Sequence, residues 1–225
     1  MVNGIRIKLT DTVNEGRSFL NNKFFNLPKE KQNAIINAGC RVFSENSYKK
    51  SPMSEIANEA GISKSLLFHY FKNKKELYLY LYNYAVDLIM EVSRDEIITT
   101  ETDFFEIFLQ LLKCKCKLLK QHTYLFHFML NAYYEEDEEV VKDLNGKNST
   151  ITNSSINAIL NRIEKNKFKD EVNIEQLINI IIWCGEGYIK EKYRKYHIDI
   201  DEVEKDYENI IDFFRKSSYK EEYLP

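Results

Sequence analysis

Glycine and proline are scarce, with 7 Gly and 3 Pro in 225 residues. Hairpins and the corners of sandwiches and barrels draw on these two residue types, so an all-β fold is disfavoured and long helices are favoured. Four cysteines are too few for a disulfide scaffold and are expected as free thiols of a reducing cytoplasm. The longest apolar run, Ile180–Cys184, is far shorter than the roughly 20 residues of a membrane span. Met1–Arg6 has neither the apolar stretch nor the cleavage site of a secretory signal, so the expected location is cytoplasmic, with no membrane partner. No Gly-rich phosphate loop, nucleophile elbow or His–carboxylate pairing is present, which leaves an enzymatic reading without support and implies no cofactor. No metal site is expected either. Cys114 and Cys116 point roughly 200° apart on a helix, and His122 and His127 match one helical face poorly. The acidic run Glu135–Glu139 reads as solvated surface.

What the sequence does have is apolar and aromatic material, 44% hydrophobic and 13% aromatic, enough to exclude disorder. Its net charge of −3 conceals an asymmetry. Residues 1–82 carry 13 Lys/Arg against 7 Asp/Glu, and the remainder 19 against 28. A basic N-terminal third on an acidic remainder suggests a small polyanion-binding module on a larger body; chance clustering on a solvated face is the alternative.

Periodicity divides the chain into helices. Residues 1–28 form an arm or extension, with a short helix near Arg17–Phe25. A helix follows Pro28, with Ile35, Ala38, Val42 and Phe43 on one face. Ser51-Pro52 reads as a cap and first residue of a short helix to Glu59, Gly61 breaks it, and Ser63 caps the next to about Phe71. Asn73 with Glu76 resembles a capping box that opens a long helix to about Ile98, since Leu77–Tyr82 has no polar face to alternate as a strand would. Further helices are expected at 103–121, 123–137, within 140–166, at 174–196 and at 200–218, with loops at Asn145–Ser149 and Asn166–Asn173. The fold class is all-α.

Residues 52–71 have helix-turn-helix spacing: small Ala57, then Gly61, with Ile56, Ala60, Ile62 and Leu67 placed to fill the wedge between two helices. A small side chain permits the close crossing, and glycine suits a left-handed turn residue. The stretch Ala60-Gly61-Ile62-Ser63-Lys64-Ser65-Leu66-Leu67-Phe68-His69-Tyr70-Phe71 and its continuation to Leu77 closely resemble the DNA-binding domain of the TetR family of bacterial transcriptional regulators. Ala38–Phe43 and Ser54–Ala57 fall where that family has its first two helical signatures. The resemblance covers about residues 29–89. It departs at Phe68, where the family usually has Tyr, at Ser47, and at Ser65-Leu66.

The resemblance implies an N-terminal helix-turn-helix domain (29–89) whose third helix enters the major groove, and a helical ligand-binding and dimerisation domain (90–225). Ser63 caps that helix or touches a phosphate. Lys64, Ser65, Leu66 and His69 are the candidates at base edges: Lys64 for guanine or phosphate, Leu66 for a thymine methyl. Tyr70, Lys74, Ser51 and Ser54 are the phosphate candidates. The implied partners are a double-stranded operator, a second copy of the chain through the helices near 174–196 and 200–218, and a small-molecule effector. Gly185 and Gly187 permit either close helix approach or room for a ligand. Phe104, Phe108, Phe126, Met129, Tyr133, Trp183 and Tyr188 are the candidates to line a cavity for a hydrophobic or aromatic effector. The reading is therefore a ligand-responsive homodimeric repressor. The alternative is a small-molecule-binding or scaffold protein with a vestigial helix-turn-helix.

Overall fold

The computed structural model describes residues 22–97, 101–194 and 199–224. The helices are α1 (Asn22–Phe25), α2 (Lys29–Glu45), α3 (Met53–Glu59), α4 (Lys64–Tyr70), α5 (Lys74–Ile97), α6 (Phe104–Gln121), α7 (Thr123–Tyr133), α8 (Val141–Leu160), α9 (Ile174–Arg194) and α10 (Ile200–Ser218). The described residues contain no strand beyond an isolated antiparallel bridge, Phe168 to Tyr219. None of their helices is long and apolar enough to cross a membrane. Most of the expected arm, residues 1–21, lies outside the described residues. Its end does not: Phe24 of α1 is fully buried against the rings of Phe71 and Tyr80.

Local chemistry accounts for the boundaries. Pro28 precedes α2 and lacks an N–H in any case, so it starts a helix at no hydrogen-bonding cost. At the head of α5, Asn73 Oδ1 accepts from Glu76 N at 2.8 Å, while the Glu76 carboxylate accepts from Lys72 N at 3.1 Å. This is the reciprocal capping expected there, shifted by one residue on its return bond. Leu77, Tyr78, Leu81 and Tyr82 are all buried, a helical rather than an alternating pattern. One expected loop is absent, because α8 runs straight through Asn145–Ser149. Gly146 there is exposed, where glycine costs only about 1 kcal/mol against alanine. Buried Val140 and Leu144 fasten the start of the helix.

Two cores result. The upper one joins α1 to α5 with Leu125, Phe128 and Ala132 of α7 and with Val140 and Leu144. The lower one is built from Phe104, Phe105 and Ile107 of α6, Ile163, Phe168, Leu177, Ile178 and Ile181 of α9, Ile211 of α10, and Tyr219. The apolar interior of residues 29–89 thus continues into the remainder of the chain, with α2 packed along α7 and α5 along α6. Helix α6 also packs against α10. Contact on opposite sides explains why Cys114 and Cys116, pointing apart, are both buried. At Gly39 an added Cβ would lie 2.5 Å from Leu81 Cδ1, so glycine is what lets α2 and α5 approach.

Candidate nucleic-acid interface

Helices α3 and α4 are joined by a turn in which Gly61 has φ +67°, the left-handed region open to glycine at no steric cost. Ile62 N donates to Ala57 O at 3.0 Å and Gly61 N to Asn58 O at 3.1 Å, closing the turn. Ile56, Ala57 and Leu67 are fully buried in the wedge, over Val42 and Phe43 of α2. Ser63 Oγ accepts from Leu66 N at 3.2 Å and lies 3.0 Å from Ser65 Oγ, so Ser63 is the α4 cap.

The seven residues of α4 divide sharply. Leu67 and Tyr70 face inward, while Lys64, Ser65, Leu66, Phe68 and His69 are exposed. Leu66 is 37% and Phe68 38% exposed. Beside α4 lies an open notch of about 330 Å³ lined by Lys49, Lys50, Ser54, Lys64, Phe68 and Lys74, among others. The Lys64 ammonium lies 5.9 Å from the Phe68 ring centre, on the notch side. Lys74 donates to Lys49 O at 3.2 Å and sits 4.5 Å above the Tyr48 ring. Four ammonium groups around one concavity attract a polyanion, and their donors suit phosphate oxygens.

Two expected phosphate contacts are corrected. Ser51 is only 1% exposed, and its hydroxyl donates inward to Ser47 O at 3.0 Å; the α3 cap position falls to Pro52 instead. Tyr70 is 8% exposed and packs against Phe24, so its side chain belongs to the core. The other DNA candidates, Ser54, Ser63, Lys64, Ser65, Leu66, His69 and Lys74, lie on or beside the exposed face.

The expected effector cavity is also corrected, because its seven residues do not converge. Phe104 is fully buried in the lower core, with Phe108 packed beside it. Phe126 is buried and Met129 packs against the upper core. Tyr133 is exposed and donates to Glu186 at 2.7 Å, and Tyr188 donates to Asp206 at 2.7 Å. Trp183 is 63% exposed. Amphipathic spacing places an aromatic ring on a face but not opposite another ring. Gly185 serves close approach, since a Cβ there would lie 2.3 Å from Tyr207 Oη, whereas Gly187 faces open space.

Three residues were not among the site candidates drawn from the sequence. Phe68 is one. The other two, Asn131 and Glu135, fasten the helix-turn-helix unit to the rest. Asn131 Nδ2 donates to Phe43 O at 3.0 Å and Ser44 O at 2.8 Å, taking up carbonyls at the end of α2. Glu135 accepts from Tyr48 N at 2.8 Å and from Glu136 N and Asp137 N at 3.1 Å, so it is not solvated surface as expected. A lone Asn within Leu125–Tyr133, otherwise mostly apolar, was the available signal. Lys75 and Asp143 add an ion pair at 2.8 Å across the same seam.

Residues 35–81 match the family model described as bacterial regulatory proteins, tetR family. The HTH-type transcriptional activator FasR of Mycolicibacterium smegmatis is 36% identical over 75 residues, 33% of this chain and 34% of that protein. The fatty acid metabolism regulator protein of Bacillus subtilis is 33% identical over 63 residues, 28% of this chain and 32% of that one. The chain thus spans about a third of the length of these curated relatives. Among solved structures, the fatty acid degradation regulator FadR from Bacillus halodurans superimposes with a TM-score of 0.66 at 20% identity, over 83% of this chain and 95% of that one. A TetR family transcriptional regulator from Chloroflexus aurantiacus gives 0.63 at 18% identity, over 90% and 99%. At such identities the likeness is one of fold.

Proposed function

We propose that this chain, whose residues 35–81 match the tetR-family model, is a transcriptional regulator that binds a pseudo-palindromic DNA operator as a homodimer. The observation that carries the reading is the exposed face of α4 beside the lysine notch, held out by a buried Leu67 and Tyr70. An α-helix fits the major groove, where base edges are distinguishable, and the notch lysines meet the flanking phosphates. One short helix reads too few bases for genomic specificity, so two copies on related half-sites are required.

The second copy docks on α9 and α10. On α9, Gln176, Ile180, Trp183, Gly187 and Lys190 form one exposed stripe at helical spacing, and Phe213 of α10 is 66% exposed. Helices of this kind bury their apolar stripes in a four-helix bundle. Repression is the direction of control where that operator overlaps a promoter, because a dimer bound there excludes polymerase.

A small apolar effector relieves it. Three similar proteins are named as regulators of fatty acid metabolism or degradation, which favours an acyl-chain compound. Its action is read at the seam where Asn131 and Glu135 hold the end of α2 and the loop after it. Reorienting α7 moves both attachments together, at a coupling of about 1–3 kcal/mol.

The test is fluorescence anisotropy of the full-length protein on duplexes enriched from a random-core library, across a salt series. A sequence preference and a steep salt dependence are expected, with Lys74→Ala lowering the slope of log affinity against log salt by about 1. Absence of any enriched duplex overturns the reading in favour of a scaffold or small-molecule binder.

A further inference from the structure

The exposed arc of α4 has an order around the helix. Lys64 and Phe68, one turn apart, lie on the notch side; Ser65 and His69 occupy the middle; Leu66 holds the opposite flank near the leading end. The Lys64 ammonium, 5.9 Å from the Phe68 ring centre, lines the notch with Lys49, Lys50 and Lys74, a cluster of cations suited to phosphate oxygens. Helix α4 contains no Arg, Asn, Gln, Asp or Glu, so no planar side chain to pair a base edge through two parallel hydrogen bonds; the hydrogen-bonding groups on its exposed arc are Lys64, Ser65 and His69. What remains on its leading flank is an apolar side chain, 37% exposed, in a strongly basic setting that draws it toward DNA.

We infer that each half-site is read in part through the 5-methyl group of a pyrimidine packed against Leu66, so that one symmetric operator position is recognised by a methyl contact. The inference rests on the DNA-binding reading above and names the chemistry by which that surface discriminates. In the major groove only thymine, or a methylated cytosine, offers such a methyl. A methyl reader and a reader of A·T-dependent groove shape therefore respond differently to 5-methylcytosine opposite guanine. Phe68, on the other flank, packs along the sugar–phosphate wall next to the notch.

The experiment uses the full-length protein and the best duplex enriched from the random-core library. Uracil is substituted for thymine one position at a time, in one half-site and then in both. One symmetric position is expected to weaken binding about four-fold when changed in a single half-site and about fifteen-fold when changed in both, the value of one or two buried methyls. The Leu66→Ala protein, altered only at an exposed helical site and so still folded by circular dichroism, is expected to bind the thymine duplex more weakly and to be indifferent to uracil there. At the same position, 5-methylcytosine–guanine is expected to bind more tightly than cytosine–guanine. Tolerance of uracil throughout by the unsubstituted protein, or a uracil effect that survives Leu66→Ala, overturns the methyl contact while leaving sequence-specific binding intact. Failure to enrich any duplex removes both.

Discussion

The two cores are closed in different ways. The upper core is sealed by rings, with Tyr78 edge-to-face with Phe43, Tyr48 and Phe128, and Phe43 tilted against Phe128, across the α2–α5–α7 seam. The lower core is closed by a polar knot at the head of α6. There Asp103 caps α6 through Phe105 N and Glu106 N and pairs with Lys167 at 3.1 Å. The Tyr219 hydroxyl donates to Asp103 and accepts from Phe104 N, both at 3.2 Å. The lower unit also leaves Ile180, Trp183 and Phe213 uncovered, whereas the large apolar residues left exposed by the helix-turn-helix unit, Leu66 and Phe68, are confined to α4. The helix-turn-helix unit thus leaves large apolar side chains exposed only on α4, while the lower unit leaves them along α9 and α10.

The largest effect expected from this contrast falls on assembly. Replacing Trp183 and Phe213 by Asp removes about 2 kcal/mol of apolar burial per residue on each of two copies, so the dimer weakens by roughly 8 kcal/mol. Sedimentation is expected to show a monomer at all working concentrations, with the helical content retained. A dimer that survives the double change would place the interface elsewhere and dissolve the contrast.

Next comes the seam. Asn131→Ala deletes two hydrogen bonds to α2 carbonyls and is expected to cost about 2 kcal/mol in urea unfolding. Because it loosens the head from α7 without touching α4, any effector response is expected to fall more than DNA affinity. Loss of affinity with the response unchanged would show that the seam is mere packing.

A smaller effect separates the cores by pH. Burial raises the Asp103 carboxyl, but hydrogen bonds from the α6 backbone, Lys167 and Tyr219 outweigh it and hold the group below its ordinary range. A depressed folded value gives stability that is fully present above the unfolded pKa of about 4 and is lost as pH falls through the folded one. Melting followed between pH 6 and pH 3 should therefore fall more steeply for the unsubstituted protein than for Asp103→Asn. Equal slopes would mean that the knot is not electrostatic.

The smallest effect is chemical. Burial pushes the Cys40 thiol up to about 12 and the Cys116 thiol up to about 11, and Cys114 is also buried, while Cys184 is exposed on α9. A thiol reagent is expected to modify only Cys184 in the native protein, and more slowly as the protein concentration favours the dimer. Rapid reaction of a second thiol would mean that one core opens readily.

Short-range signals account for how much of the molecule was legible. The Gly61 turn, the Ser63 cap and the Asn73–Glu76 box each depend on residues within four positions of one another, so spacing alone reveals them. The Asn145–Ser149 stretch misled because turn-forming residues in an exposed helix cost little, and the anchors that keep it helical, Val140 and Leu144, bind a core made elsewhere in the chain. Ser51 and Tyr70 look like surface hydroxyls in sequence and are buried only because α2 and α1 close over them.

The amino-acid order by itself determined the all-helical class, nearly every helix, and the lysine-rich helix-turn-helix, because periodicity, caps and charge are properties of neighbours along the chain. Only the tertiary arrangement decided that seven plausible pocket residues part company, that Asn131 and Glu135 bind a module some 87 residues away, and that Lys64 lines a lysine notch on one flank of α4 while Leu66 holds the other. Those outcomes depend on which faces of distant helices meet, and that is settled by the packing of whole elements rather than by any local run of residues.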